Sequence, residues 1–73
     1  MDNKKTGLKI RVARIKAGFS QSDLAARLNV KQATVSLWEQ GRNLPKVSNM
    51  VRLSELLDIP VDELLKVGWA WNG

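Results

Sequence analysis

Residues 21–40, QSDLAARLNVKQATVSLWEQ, read as two short amphipathic helices joined by a tight turn. Ser20 is placed to accept a backbone N–H as N-cap, and Asp23, three residues on, to accept one in return, the reciprocal pattern of a capping box. Leu24, Ala25 and Leu28 fall at i, i+1 and i+4 and form one buried stripe, which leaves Ser22, Arg27 and Asn29 to solvent or to the turn. Asn29 closes this helix, because asparagine enters the left-handed region with little strain and a sharp helix-to-helix turn requires that conformation. After Val30 a second stripe resumes with Val35 and Trp38, leaving Gln32, Ala33, Thr34, Ser36, Leu37 and Gln40 on other faces. Gly41 stops the second helix as a left-handed residue just past its end.

Working outward, the apolar spacing predicts helices over 6–17, 47–57 and 61–67 as well as over 21–28 and 32–40, with no competing strand signal. The expected fold is therefore all-α, a compact five-helix bundle. Pro45 introduces the fourth helix, whose stripe is Met50, Leu53 and Leu57 with Val47, Val51 and Leu56 beside it. Asp58-Ile59-Pro60 marks the next break, since Pro60 suits the first turn of a new helix and biases Ile59 away from helical angles. Residues 1–5 are expected to fray, and 68–73 to form a tail. The first helix should bury the side carrying Ile10, Ala13 and Ala17, yet Leu8, Val12 and Ile15 make a second stripe on about the opposite side. The expected cover for it is Trp69 or Trp71, folded back within the chain or across a dimer.

A chain of 73 residues supports one domain, whose core is marginal unless nearly every apolar residue is used, so close helix packing or dimerisation is expected. There is no cysteine and no histidine, which removes disulfides, thiolate metal sites and the commonest general base together. Neither a cofactor nor a metal is expected. No apolar run approaches the roughly 18–20 residues of a membrane span, and MDNKKTG lacks the apolar stretch of a signal peptide, so the expected location is cytoplasmic. Net charge is +5, but residues 1–46 hold ten Lys/Arg against three Asp/Glu, and residues 47–73 hold two against four. A +7 part beside a −2 part would orient the molecule toward a phosphate backbone.

Ala25, Asn29, Val35 and Trp38 together resemble the helix-turn-helix of the lambdoid phage repressor and Cro family, also called the XRE family, which commonly has glycine where this chain has Asn29. Ile10, Arg14, Gly18 and Ser20-Gln21 resemble that family's first helix and its exit. Trp38-Glu39-Gln40-Gly41-Arg42 resembles the end of its recognition helix, and Pro45, Met50, Leu53, Leu57, Ile59, Val61 and Asp62-Glu63-Leu64-Leu65 its fourth and fifth helices, although the family commonly has a serine cap where Pro60 stands. About residues 6 to 66 are covered. The resemblance implies the phage repressor DNA-binding fold, double-stranded DNA as partner through the major groove, and a salt bridge between Arg14 and Glu39.

A recognition helix enters the major groove with its N-terminal end foremost, so its first turns should be short or polar and its apolar residues should face the body. Gln32 suits the bidentate recognition of adenine, Ala33 and Leu37 offer apolar contact to a thymine methyl, and Thr34 and Ser36 do either kind of work. The resemblance places base reading at Gln32, Ala33 and Leu37, with Thr34 at the groove too. For phosphates, Gln21 at a helix N-terminus can grip one with side chain and backbone together, and Lys31, Gln40, Arg42, Asn43 and Lys46 bracket the recognition helix. One such domain touches few base pairs, so a homodimer on a palindromic site is expected. Leu64, Leu65, Trp69 and Trp71 lie where members of the family commonly dimerise.

These features imply a sequence-specific transcriptional regulator, most simply a repressor from a phage, another mobile element or its bacterial host. Activation through contact with RNA polymerase, control of restriction-modification and an antitoxin role are open to the same fold. A protein-interaction module would need bulky anchors on the exposed face of the recognition helix, where only Leu37 qualifies. An enzyme ranks last, because Asp58, Asp62 and Glu63 stand at a helix boundary with no base, nucleophile or metal set around them.

Overall fold

Among the described residues five helices follow one another: α1 (Asn3–Lys16), α2 (Gln21–Leu28), α3 (Gln32–Glu39), α4 (Val47–Leu57) and α5 (Val61–Gly68). The computed structural model describes residues 3–68, with side chains as far as Leu64. Four of the connections leave their helix through a left-handed residue, Gly18 (φ 83°), Asn29 (φ 57°), Gly41 (φ 77°) and Asp58 (φ 55°). At the first three the chain closes with paired backbone bonds of the Schellman type, such as Val30 N–H to Ala25 O (3.0 Å) with Asn29 N–H to Ala26 O (3.2 Å). After Asp58, Ile59 N–H reaches Ser54 O at 3.0 Å. Pro60 stands just ahead of α5, where its carbonyl accepts the Glu63 N–H, and Asp62 and Glu63 supply negative charge to the first turn.

The core gathers Ile10 from α1, Leu24, Ala25 and Leu28 from α2, Val35 and Trp38 from α3, Met50, Leu53 and Leu57 from α4, and Leu64 from α5. Helices α1 to α4 thus each bury one side and turn the other toward water, the solution by which a short chain closes a core. Val47 and Val51, expected beside the α4 stripe, are instead exposed, because α4 turns only its Met50–Leu53–Leu57 side inward. In α1, Ala13 is half-buried and Ala17, past the helix end, is exposed. Leu8, Val12 and Ile15 are 57, 44 and 57% exposed, and the tryptophans expected to cover them, Trp69 and Trp71, lie outside the described residues.

Helix α1 starts at Asn3, so residues 3–5, expected to fray, are helical. The reason lies far away in sequence. Gly7 packs against the carbonyl oxygens of Trp38 and Glu39, and the backbone of Lys4 lies so near Gly41 that a Cβ there would stand 2.8 Å from the Lys4 Cα. The end of α3 therefore serves as a platform for the first turns of α1. Helix α3 itself ends at Glu39, one residue short of expectation, with Gln40 as its cap.

Candidate nucleic-acid interface

Helix α2 begins where Ser20 Oγ accepts the Asp23 N–H (3.0 Å) and Asp23 Oδ2 accepts the Ser20 N–H (3.0 Å). The bond from the Ser20 backbone, then the one from its side chain, hold the Asp23 carboxyl below its ordinary value, with Arg27 one turn on adding to the effect. The guanidinium of Arg27 in turn covers the Phe19 ring at 5.2 Å. This cap fixes the start of α2 and so the position of its first residue, Gln21.

The far end of α2 is held from α4. Arg52 donates from Nη2 to Arg27 O (2.7 Å) and from Nη1 to Leu28 O (3.3 Å), placing a cation at the negative end of the α2 dipole. Sequence reading missed this residue. Its signal was slight: Arg52 is one of only two cations after residue 46, on a helix that otherwise explains itself through its apolar stripe.

Behind α3 lies an ion pair. Arg14 Nε donates to Glu39 Oε2 at 2.6 Å and Arg14 Nη2 to Glu39 Oε1 at 3.1 Å, while Arg14 Nη1 caps Phe19 O at 2.8 Å. The two side chains are 11 and 4% exposed, so the pair is largely withdrawn from solvent. Glu39 Oε1 also accepts Gln21 Nε2 (3.0 Å), and Gln21 Oε1 accepts Gln32 Nε2 (2.6 Å). A continuous hydrogen-bonded chain thus runs from α1, through the end of α3 and the start of α2, to the first residue of α3.

Of the five residues assigned to base reading, Gln32 and Ala33 are exposed and Thr34, Ser36 and Leu37 half-buried, while Val35 and Trp38 of the same helix are buried. Ser36 Oγ accepts Gln40 Nε2 at 2.8 Å, so Gln40, assigned to phosphate, is engaged along its own helix. Lys31, Arg42, Asn43 and Lys46 are exposed around α3. Lys31 and Lys46 are the N-caps of α3 and α4, and neither helix start has a side-chain cap such as Ser20 supplies to α2; in α3 the Thr34 N–H turns instead to Lys31 O at 2.9 Å. Leu64, expected at a dimer or tail contact, is fully buried in the core of its own chain; Leu65 lies outside the described side chains.

Among the described residues no cluster of acidic, cysteine or histidine side chains could hold a metal, and no helix is long and apolar enough to cross a membrane. A helix-turn-helix family profile matches residues 10–64. The chain is 32% identical over 59 residues to the HTH-type transcriptional regulator ImmR of Bacillus subtilis, covering 81% of this chain and 46% of that protein. It is 30% identical over 57 residues to the HTH-type transcriptional activator BcrR of Enterococcus faecalis, covering 78% and 28%. The chain therefore spans less than half the length of these curated relatives. Its fold is similar to that of the restriction-modification controller protein C.AhdI from Aeromonas hydrophila, with a TM-score of 0.75, 31% identity and coverage of 85% of this chain and 90% of that one. On the match across α1 to α5 and the geometry of α2 and α3, the chain belongs to the helix-turn-helix family of the phage repressor and Cro (XRE) type, a family of DNA-binding transcriptional regulators.

Proposed function

We propose that this protein regulates transcription by inserting α3 into the major groove of double-stranded DNA, as a homodimer on a palindromic operator, and most simply acts as a repressor. The observation that carries this is the division of α3: Val35 and Trp38 are buried behind it while Gln32 and Ala33, at its leading end, are open to solvent. That end is what a groove-entering helix must present. Gln32 reads adenine, Ala33 and Leu37 meet thymine methyls, and Thr34 and Ser36 add polar or methyl contacts. The uncapped starts of α3 and α4, each carrying a lysine, suit phosphate oxygens, which bring both negative charge and acceptors. Gln21, Gln40, Arg42 and Asn43 complete the grip on the backbone.

Selection from random duplex DNA on the purified protein, at two salt concentrations, tests this. A palindromic, A·T-bearing consensus is expected, and a dimer making about 6 to 10 phosphate contacts should lose roughly 10³- to 10⁵-fold in affinity between 50 and 200 mM salt. A protein that enriches no sequence would sink the proposal. A second reading, activation or restriction-modification control, is favoured by the similarity to an activator and to a controller protein. It adds contact with RNA polymerase, and a promoter fusion whose output rises with the protein would select it.

A further inference from the structure

Hydrogen-bond polarity in the chain behind Gln32 is forced from one end. Arg14 can only donate and the ionised Glu39 can only accept, so the amide that faces Glu39 Oε1 must present its N–H. Gln21 obeys this at 3.0 Å, and its carbonyl oxygen consequently faces Gln32. Gln32 must then donate in its turn, which it does at 2.6 Å. Turning either amide over would set oxygen against oxygen at these distances, a repulsive contact that is part-buried where Gln21 meets Glu39 and exposed where Gln32 meets Gln21. What Gln32 can still offer outward is its Oε1 as acceptor and one remaining N–H. That pair matches adenine, which presents the N6 donor beside the N7 acceptor, and fails against guanine, whose O6 and N7 are both acceptors.

We propose that Glu39, with a side chain only 4% exposed, is a specificity-determining residue: acting through Gln21, it fixes which way the Gln32 amide points and thereby selects adenine over guanine. Glu39 is a positioning residue in this scheme and touches no base. The inference rests on the DNA-reading role proposed above for Gln32.

The test compares binding of the selected duplex with binding of its A·T→G·C variant at the base pair whose preference disappears in Gln32→Ala. The parent protein should favour adenine by about tenfold or more. Glu39→Gln, whose amide can face Gln21 with either atom, should reduce that ratio to about threefold or less, as should Gln21→Met, which leaves the Arg14–Glu39 pair in place. In the Gln32→Ala background neither change should move the ratio further, whereas a purely structural role for Glu39 would weaken both duplexes equally. If Glu39→Gln loses its helical circular dichroism, Gln21→Met decides. Unchanged ratios in the folded variants overturn the relay while leaving DNA reading intact; a parent protein that selects no duplex overturns both.

Discussion

Gly7 of α1 lies against the carbonyl oxygen of Glu39, so close that a Cβ at position 7 would stand 2.6 Å from it. Two effects of Gly7→Ala therefore oppose each other. Helix propensity favours alanine by about 1 kcal/mol at an interior helical position. Overlap with two backbone carbonyls at the end of α3, which cannot rotate away as a side chain can, costs about 1–3 kcal/mol. Because α3 is also fixed from its other side by Val35 and Trp38, the steric cost should win. Urea denaturation should show a lower midpoint for Gly7→Ala; a higher one would mean that α1 does not rest on α3.

The Arg14–Glu39 pair should behave as a withdrawn ion pair. Arg14→Met leaves a carboxylate 4% exposed without its cation, and the loss should be about 3–5 kcal/mol. For a domain of this size that is comparable with the whole stability. Replacing both residues with apolar ones removes the stranded charge, so Arg14→Met with Glu39→Leu should recover much of it. Thermal melts of the single and double variants check this, and a double variant no better than Arg14→Met would argue against burial of the charge as the cause.

Much of this fold was legible because its boundaries are chemically explicit. Ser20 with Asp23, Asn29 and Gly41 frame α2 and α3 within a residue, and the Met50–Leu53–Leu57 spacing finds the buried side of α4. Periodicity fails where a tertiary contact decides. Residues 3–5 carry no apolar stripe and are helical because Gly41 and the end of α3 accept them. Leu64 sits on the chain's last described turns, as apolar as a dimer seam would be, and only the packing of α5 shows it to be core. Around α3, the exposure of Ala33 follows from Val35 and Trp38 facing inward, whereas Gln32, three residues before Val35 and on its side of the helix, is exposed at the helix's first residue. The bond of Gln32 to Gln21, and that of Gln21 to Glu39, span 11 and 18 residues and tie the start of α2 to both ends of α3, a convergence that no local spacing encodes.

The capping box predicts an acid limb. Asp23 has its carboxyl pKa lowered in the folded protein by the Ser20 hydrogen bonds, so its contribution is present above the unfolded value near 3.8 and is lost as pH falls through the depressed folded value. Asp23→Asn should remove that contribution, leaving a variant less stable than the parent at neutral pH but converging on it in acid. Melting temperatures of both proteins between pH 2 and 7 check the sign.

Arg52 should matter through geometry more than charge. Its two nitrogens reach adjacent carbonyls, Arg27 O and Leu28 O, a fork that one ammonium cannot reproduce. Arg52→Ala should cost about 1 kcal/mol, and Arg52→Lys should restore only the part due to the helix dipole. Because the clamp sits at the end of α2, where the chain turns into α3, hydrogen exchange in both variants should rise first at residues 27–31. Uniform acceleration across all five helices would instead indicate a global loss.

On DNA, the residues around α3 should separate by the kind of change each produces. On the proposed reading Gln32→Ala removes a bidentate contact, and it should then cost about 1–3 kcal/mol on the best site while leaving weak sites nearly unaffected, so the difference appears as lost discrimination at one base pair. Lys46→Ala, at the uncapped start of α4, should weaken every duplex by a similar factor and lower the slope of log affinity against log salt by about one for each contact removed. The two signatures are independent: the first survives high salt and the second fades with it. A Gln32→Ala protein with unchanged sequence preference would mean that the open end of α3 does not face the bases.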